Sequence, residues 1–220
     1  MVSVKKTFNH KAALRLWSAL THGLGALFAL VGTTVLICRE AYTGTSLSIA
    51  AFAVYGASMI CLYTASTLYH SIRASDAWRI ALRKYDHCSI YLLIAGSYTP
   101  VCILALANTV GYTLFAVIWC CALLGIILTA IRLNIPAWVS AVIYLAMGWL
   151  AVVAIVPLWQ VMSGPAMACL LLGGVFYTIG GVLYAVKWPC RNNPRFGCHE
   201  IFHLFILCGS VCHFIMMFYL

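Results

Sequence analysis

Seven long apolar runs constrain the fold of this chain more than any other feature of the sequence. An uncharged apolar run of about 18 residues or more crosses the hydrocarbon core of a bilayer as an α-helix. Only 8% of the 220 residues are charged, whereas an average soluble domain has about 25%. A water-soluble globule is therefore excluded, and the sequence predicts an all-α integral membrane protein. The predicted transmembrane helices are Trp17–Cys38, Ser46–His70, Asp86–Leu106, Gly111–Ile131, Ala137–Pro157, Gly164–Val186 and His199–Leu220.

These seven spans define the expected domain organisation. We expect residues 1–220 to form a single transmembrane domain with no soluble domain, in which residues 1–16 are a cytoplasmic N-terminal tail. The basic stretch between the second and third spans, residues 71–85, fits either of two structures. It could form a short amphipathic helix along the membrane surface or remain a solvated basic loop.

The cations of the chain predict its orientation. With seven spans, 12 of the 13 Lys and Arg residues fall on one side of the bilayer, and Arg39 falls on the other. Because cytoplasmic loops carry an excess of Lys and Arg, the N-terminus is predicted to be cytoplasmic and the C-terminus extracytoplasmic. The net charge of +9 then faces anionic membrane lipids, which we expect as partners in place of nucleic acid.

A paired-histidine motif opens the last predicted span. His199-Glu200-Ile201-Phe202-His203 matches the pattern H-E-x-x-H. Residues four apart lie on one face of a helix, so both imidazoles can reach the same zinc ion (Zn²⁺). In soluble metalloproteases with this motif, the intervening glutamate is the general base. That role for Glu200 is one hypothesis for this chain.

Other polar residues fall at the same predicted membrane depth. The second span ends with Ser66 and His70, the third begins with Asp86, and the first carries His22 within its first two turns. Ionisable groups at this depth cost about 2.5–3.5 kcal/mol at a helix centre and usually have a function. Ser66 lies one turn before His70, so its hydroxyl could bond a water or a substrate carbonyl.

These depths indicate a catalytic type of zinc site. His70, His199 and His203 supply three nitrogen ligands and leave one position open, whereas structural zinc sites use four protein ligands. Whether His22 is a further ligand or a neighbour of the ligands stays open. His213 lies about 15 Å further along the same helix, so we expect it to make an interhelical hydrogen bond instead. His87 is about 100° around the helix from Asp86 and is expected to face elsewhere.

Five sequence motifs have a recognisable pattern when taken together. They are Ser66-Thr67-Leu68-Tyr69-His70, Asp86-His87-Cys88, Leu92-Leu93-Ile94-Ala95-Gly96-Ser97-Tyr98-Thr99-Pro100, the paired-histidine motif, and Gly209-Ser210-Val211-Cys212-His213-Phe214. These motifs resemble the hemolysin III family, the bacterial branch of the progestin and adiponectin receptor (PAQR) superfamily.

The resemblance implies a PAQR-like seven-helix bundle in the bacterial plasma (inner) membrane, with zinc near the cytoplasmic face. It further implies that His70, His199 and His203 hold the zinc, with Asp86 and Ser66 beside it. In the receptor branch this site is associated with hydrolysis of sphingolipid amides.

The resemblance changes the role expected of Glu200. The position after the first histidine need not be acidic in this family, so Glu200 is expected to stabilise the helix N-terminus or pair with an arginine. Asp86 becomes the expected acid/base residue, and Ser66 is expected to help hold the oxyanion. The chain is then expected to be a zinc-dependent hydrolase of a lipid-like amide or ester.

Three alternatives remain at this stage. One is a non-catalytic sensor or regulator of lipid homeostasis with a structural zinc, and another is an intramembrane protease that uses Glu200. The third is a cytolytic protein, as the family name suggests, although the spans lack the charged rings that line ion pores. The sequence predicts neither the substrate nor the oligomeric state.

Overall fold

A computed structural model describes residues 15–131, 136–189 and 196–220, and in these ranges it confirms seven helices long and apolar enough to span a membrane. No β-strand occurs within the described ranges. A π-helical turn, Val101–Ala105, extends the third span, and a 3₁₀ segment, Leu150–Ala154, joins the two halves of the fifth. The helices are α1 Leu16–Thr43, α2 Ser46–Ser71, α3 Asp76–Pro100, α4 Thr109–Ile131, α5 Ala137–Trp149, α6 Ile155–Val161, α7 Gly164–Val186 and α8 Cys198–Met217.

The third span begins ten residues before its predicted start, at Asp76 instead of Asp86. The basic stretch is therefore mostly the first turns of α3, which is neither of the two structures expected for it. Asp76 lies in the first turn, where a carboxylate stabilises the positive end of the helix dipole. Arg79 is buried, and its guanidinium lies 5.3 Å from the centre of the Tyr69 ring at the end of α2.

Side chains satisfy the backbone groups at several helix ends. Thr45 and Ser48 form a reciprocal capping box at the start of α2, in which each side chain accepts the backbone N–H of the other. The Ser163 hydroxyl accepts the Ala166 N–H at the start of α7. Glu200 accepts the Gly197 N–H at the start of α8. These caps fix where each helix begins, and therefore the depth of the side chains in its first turns.

The helices form a ring. α1 packs against α2 and α8, α2 against α3, α3 against α5, α5 against α7, and α7 against α8. α4 packs against α3, the π-helical turn and the 3₁₀ segment. Large apolar side chains such as Leu24, Ile127 and Val153 are exposed on the outer faces. Lipid is therefore the solvent for this surface, because an aqueous surface would not carry so continuous an apolar layer.

α1 and α8 run in the same direction. Arg15 at the start of α1 pairs with Glu200 at the start of α8, and Arg39 near the end of α1 donates to the Phe218 carbonyl. Parallel first and last helices agree with an odd number of spans. The side of the membrane on which each terminus lies stays a prediction. Most of the predicted N-terminal tail lies outside the described residues. The same is true of several cations on which the predicted orientation rests, namely Lys5, Lys6, Lys11, Arg132, Arg191 and Arg195.

Candidate metal centre

Three of the predicted histidines meet at one end of the ring. His199 Nε2 lies 3.1 Å from His70 Nε2 and 3.1 Å from His203 Nε2. One ligand atom from each of the three residues lies within 4.8 Å of the other two. His70 and His203 are only 3% and 2% exposed, and His199 is partly buried. This histidine group therefore brings together three nitrogen donors contributed by α2 and α8.

The two short distances are compatible with a shared metal ion. An imidazole nitrogen offers either one N–H or one lone pair in the plane of its ring. His199 Nε2 therefore cannot make good hydrogen bonds to both neighbouring nitrogens. Two nitrogen ligands about 2.0–2.1 Å from a tetrahedral zinc are about 3.3–3.4 Å apart, close to the observed spacing. The histidine group could thus hold a metal ion with little movement of the rings.

Local structure explains how the group forms. His199 and His203 occupy the first two turns of α8, one turn apart on one face. His70 lies in the last turn of α2, and its backbone carbonyl accepts the N–H of Arg15 just before α1. The beginning of α8, the end of α2 and the beginning of α1 therefore lie at the same depth, as the alternating directions of the spans predict.

A cavity of about 210 Å³ opens from the histidine group into the ring. Its walls come from α1, α2, α3, α5, α7 and α8, and most of the side chains that line it are apolar. The lining includes His199 and extends from His203 as far as His213, a distance of about 15 Å along α8. The histidine group therefore lies at one end of a long apolar chamber.

Asp86 and Ser66 line this cavity at the same end. Ser66 is 1% exposed, and its hydroxyl lies near the Asp86 carboxyl. Neither residue belongs to the group of possible metal ligands. The structure thus places a carboxyl and a hydroxyl in the lining of the cavity into which the histidine group opens.

His22 stacks on one of the three histidines. Its ring lies 3.7 Å from that of His203, with 20° between the two planes, and contacts Tyr63 edge-on. Neither ring nitrogen of His22 has a hydrogen-bond partner among the described residues, although the side chain is 3% exposed and lines the cavity. His22 is outside the histidine group, so the structure favours a neighbour of the ligands over a fourth ligand.

Comparison with known proteins places the chain in a family. Residues 9–214 match the family described as Haemolysin-III related. The chain belongs to the haemolysin III family. It is 38% identical to "Hemolysin-3" of Bacillus cereus over 203 residues, 92% of this chain and 90% of that protein. It is also 38% identical to the "Hemolysin-3 homolog" of Bacillus subtilis (strain 168) over 197 residues, 90% of this chain and 89% of that protein.

A more distant relative connects this family to a wider superfamily. The "Heptahelical transmembrane protein ADIPOR3" of Oryza sativa subsp. japonica is 26% identical over 182 residues, 74% of this chain and 44% of that protein. The haemolysin III family is thus a branch of the PAQR superfamily, as the five motifs predicted. The seven spans and the bacterial relatives together identify a multi-pass bacterial membrane protein.

Two cavity residues of this haemolysin III protein were not expected from the sequence. His87 lines the cavity, although its position next to Asp86 predicted that it would face elsewhere. Tyr184 on α7 also lines the cavity, and its ring centre lies 5.6 Å from that of His199. An aromatic residue within a uniformly apolar helix gives no sequence signal for such a position. The depth of His87, level with Asp86, was the signal available for it.

The Glu200 carboxylate forms hydrogen bonds at the starts of α1 and α8 and not with the histidine group. Arg15 Nη1 donates to both carboxylate oxygens at 2.9 and 3.0 Å, and Ser18 donates to one of them at 3.1 Å. The Gly197 N–H donates to the other oxygen at 2.8 Å. Four hydrogen bonds thus hold a carboxylate that is 1% exposed. The expectation that Glu200 pairs with an arginine and stabilises the start of α8 is confirmed, and none of these bonds leads to the histidine group.

We expect Glu200→Ala to reduce stability. It leaves Arg15, Ser18 and the Gly197 N–H without their acceptor, which should lower the free energy of unfolding by about 1–3 kcal/mol. Thermal unfolding in detergent measures the change. Glu40→Ala is the matched control, because Glu40 pairs with Arg39 at a longer distance of 3.8 Å. Equal unfolding temperatures for the two variants would contradict the structural role of Glu200.

Proposed function

We propose that this protein is a zinc-dependent hydrolase of a lipid-like amide or ester. The observation that carries the proposal is the buried histidine group, which opens into a largely apolar cavity whose lining includes the Asp86 carboxyl. The direct test is the release of fatty acid from a short-chain ceramide by the purified protein, before and after its metal is removed by a chelator. Equal release by the metal-loaded and the stripped protein would contradict the proposal.

His70, His199 and His203 would hold the metal. Three imidazoles with one open position suit zinc better than magnesium or calcium, which prefer oxygen ligands. When bound, zinc would polarise the substrate carbonyl and lower the pKa of a water molecule. His22 stacks on the His203 ring and would keep that ring oriented. Its free nitrogens would hydrogen-bond the polar group of a substrate.

Asp86 and Ser66 would carry out the proton transfer and the charge stabilisation. The Asp86 carboxylate accepts a proton from the attacking water while the water oxygen bonds to the carbonyl carbon. Ser66 donates a hydrogen bond to the oxyanion that develops on the carbonyl oxygen. Asp86 then passes the proton to the nitrogen or oxygen of the leaving group as the bond from that atom to the carbonyl carbon breaks. The products are a carboxylic acid and an amine or an alcohol.

The shape of the cavity supports a lipid as the substrate. Asp86, His199 and His203 lie at the end where α8 begins, and mostly apolar walls continue from there into the span. A molecule with a carbonyl at its head and a hydrocarbon chain behind it matches this order of groups. We propose that the polar end faces the cytoplasm and that the protein resides in the plasma (inner) membrane, as the cations predict.

A non-catalytic role is the second candidate. The ligands come from α2 and α8, which α1 separates in the ring. A metal would therefore add a second link between these two helices, which the Tyr63–Ser210 hydrogen bond already joins deeper in the span, as a structural metal in a sensor or regulator of lipid homeostasis would. The names of the two bacterial relatives add cytolysis as a further activity to test. Release of haemoglobin from erythrocytes by wild type and His70→Ala would show whether the histidine group matters for it.

The intramembrane-protease hypothesis receives no support from the geometry. A protease of this type needs Glu200 as its base. The Glu200 carboxylate is instead hydrogen-bonded to Arg15, to Ser18 and to the backbone at the start of α8. We expect Glu200→Gln to keep most of its lipid turnover, because the amide oxygen still accepts from Arg15 or Gly197. Loss of all turnover in a folded, zinc-loaded Glu200→Gln protein would restore the protease hypothesis.

A further inference from the structure

A second set of polar side chains lies at the far end of the cavity, deep in the span. His213 and Tyr177 both line the cavity there, and their rings meet edge-on at 5.3 Å. Ser210 lies behind Tyr177, with the two hydroxyl oxygens 2.9 Å apart. Polar groups at such a depth are costly, and the proposed hydrolysis uses none of them.

His213 presents a free acceptor. Its Nε2 lies 3.3 Å from the Leu170 carbonyl, and a carbonyl can only accept, so Nε2 carries the hydrogen. In the neutral ring Nδ1 is then a lone-pair acceptor, and it has no partner among the described residues. A glycine at position 173 makes room for this ring, because a Cβ there would overlap it. The imidazole is therefore held in place through one nitrogen while the other remains unused.

The hydroxyl groups beside His213 contain a surplus donor. Tyr63 donates to the Ser210 hydroxyl at 2.7 Å, and a single hydrogen bond joins Ser210 to Tyr177. Three O–H groups thus share two hydrogen bonds, and one hydrogen is left without an acceptor. If Ser210 donates to Tyr177, the unused hydrogen is on Tyr177, which is the member of the trio that faces the cavity.

We propose that His213 and Tyr177 form a distal subsite that binds the hydroxyl group of a hydroxylated lipid chain. A hydroxyl both donates and accepts, so it matches one unused acceptor and one unused donor, whereas a plain methylene chain satisfies neither. The cavity is far larger than the roughly 10–15 Å³ that one water requires, so a chain can reach this end. The inference rests on the proposed function only for the position of the lipid head.

The subsite also specifies where the hydroxyl lies on the chain. The distal subsite is about 15 Å from the histidine group along α8. Because each C–C bond of about 1.5 Å advances an extended zigzag chain by about 1.25 Å, about a dozen carbons cover that distance. A hydroxyl in the middle of a long acyl chain therefore reaches His213, whereas a hydroxyl near the carboxyl group does not.

Competition binding in lipid nanodiscs tests the distal subsite. The protein is first loaded with a fluorescent fatty acid. Octadecanoic acid, its 12-hydroxy derivative or its 3-hydroxy derivative is then added as the competitor. We expect the 12-hydroxy acid to compete roughly three- to tenfold more strongly than the other two, the effect of one or two buried hydrogen bonds. Equal competition by the three acids, or none by any of them, overturns the proposal.

Variants separate the subsite from general lipid partitioning. His213→Phe keeps a ring against Gly173 without an acceptor, and Tyr177→Phe keeps the Tyr177 ring without its donor, so both should lose the preference for the 12-hydroxy acid. Ser97→Ala is the matched control, because the Ser97 hydroxyl is in the cavity lining but already donates to the Ile94 carbonyl. A preference retained in both His213→Phe and Tyr177→Phe, or lost equally in Ser97→Ala, overturns the proposal.

The same measurement on chelator-treated protein distinguishes this inference from the proposed function. Hydroxyl selectivity that persists without metal and without turnover supports the distal subsite while the hydrolase proposal fails. Turnover of ceramide with no selectivity among the three acids has the opposite meaning: the hydrolase proposal stands and the distal subsite is wrong.

Discussion

The purified protein is expected to carry one zinc ion per chain, and His70→Ala and His199→Ala are each expected to lose it. Removing one imidazole leaves two ligands, and even the loss of a residue that only orients a ligand lowers metal affinity 10- to 100-fold. We therefore expect a loss in affinity of more than about 100-fold. Elemental mass spectrometry of protein purified without added metal measures the zinc content directly.

Two further histidines provide the controls for this experiment. His213→Phe changes a histidine on the same helix about 15 Å away, so its zinc content should equal that of wild type. His22→Gln should lose less zinc than His70→Ala, because His22 orients a ligand without belonging to the histidine group. Wild-type protein without stoichiometric zinc would contradict the metal site, as would undiminished zinc in His70→Ala.

The spans could be predicted because lipid leaves the chain few options. Within the hydrocarbon region every backbone group must bond internally, so each long apolar run has to be helical. Hydropathy identifies the apolar part of a helix and not its end, which explains the error at the third span. α3 continues through the charged residues from Asp76 to Arg83, because helical hydrogen bonding does not stop where lipid contact does.

The histidine group was predictable for a related reason. Alternating span directions assign a depth to every side chain, and the i to i+4 spacing of His199 and His203 assigns them a common face. No such rule predicts how far each helix is rotated about its own axis. This rotation depends on packing details such as Gly25, where a Cβ would come within 3.0 Å of both Tyr63 and Leu207. The stacking of His22 and the inward position of His87 therefore required the structure.

The choice between a hydrolase and a metal-tied regulator depends on Asp86. We expect Asp86→Asn to keep the fold and the zinc, because the amide has the size of the carboxyl and Asp86 is outside the histidine group. Since an amide cannot accept the proton of the attacking water, turnover of short-chain ceramide should fall about 10²- to 10⁴-fold, the usual contribution of a general base. Fatty acid release measures the rate, and zinc content is determined on the same sample.

Asp76→Asn is the matched control for this experiment, because it makes the same chemical change on the same helix, at a position that does not line the cavity. Its turnover should equal that of wild type. If wild type hydrolyses ceramide and zinc-loaded Asp86→Asn does so at the same rate, Asp86 is not the base. If zinc-loaded wild type and Asp86→Asn both leave ceramide and simple lipid esters intact, the metal is structural. The histidine group then ties α2 to α8, and the cavity binds lipid as the sensor of a regulatory protein.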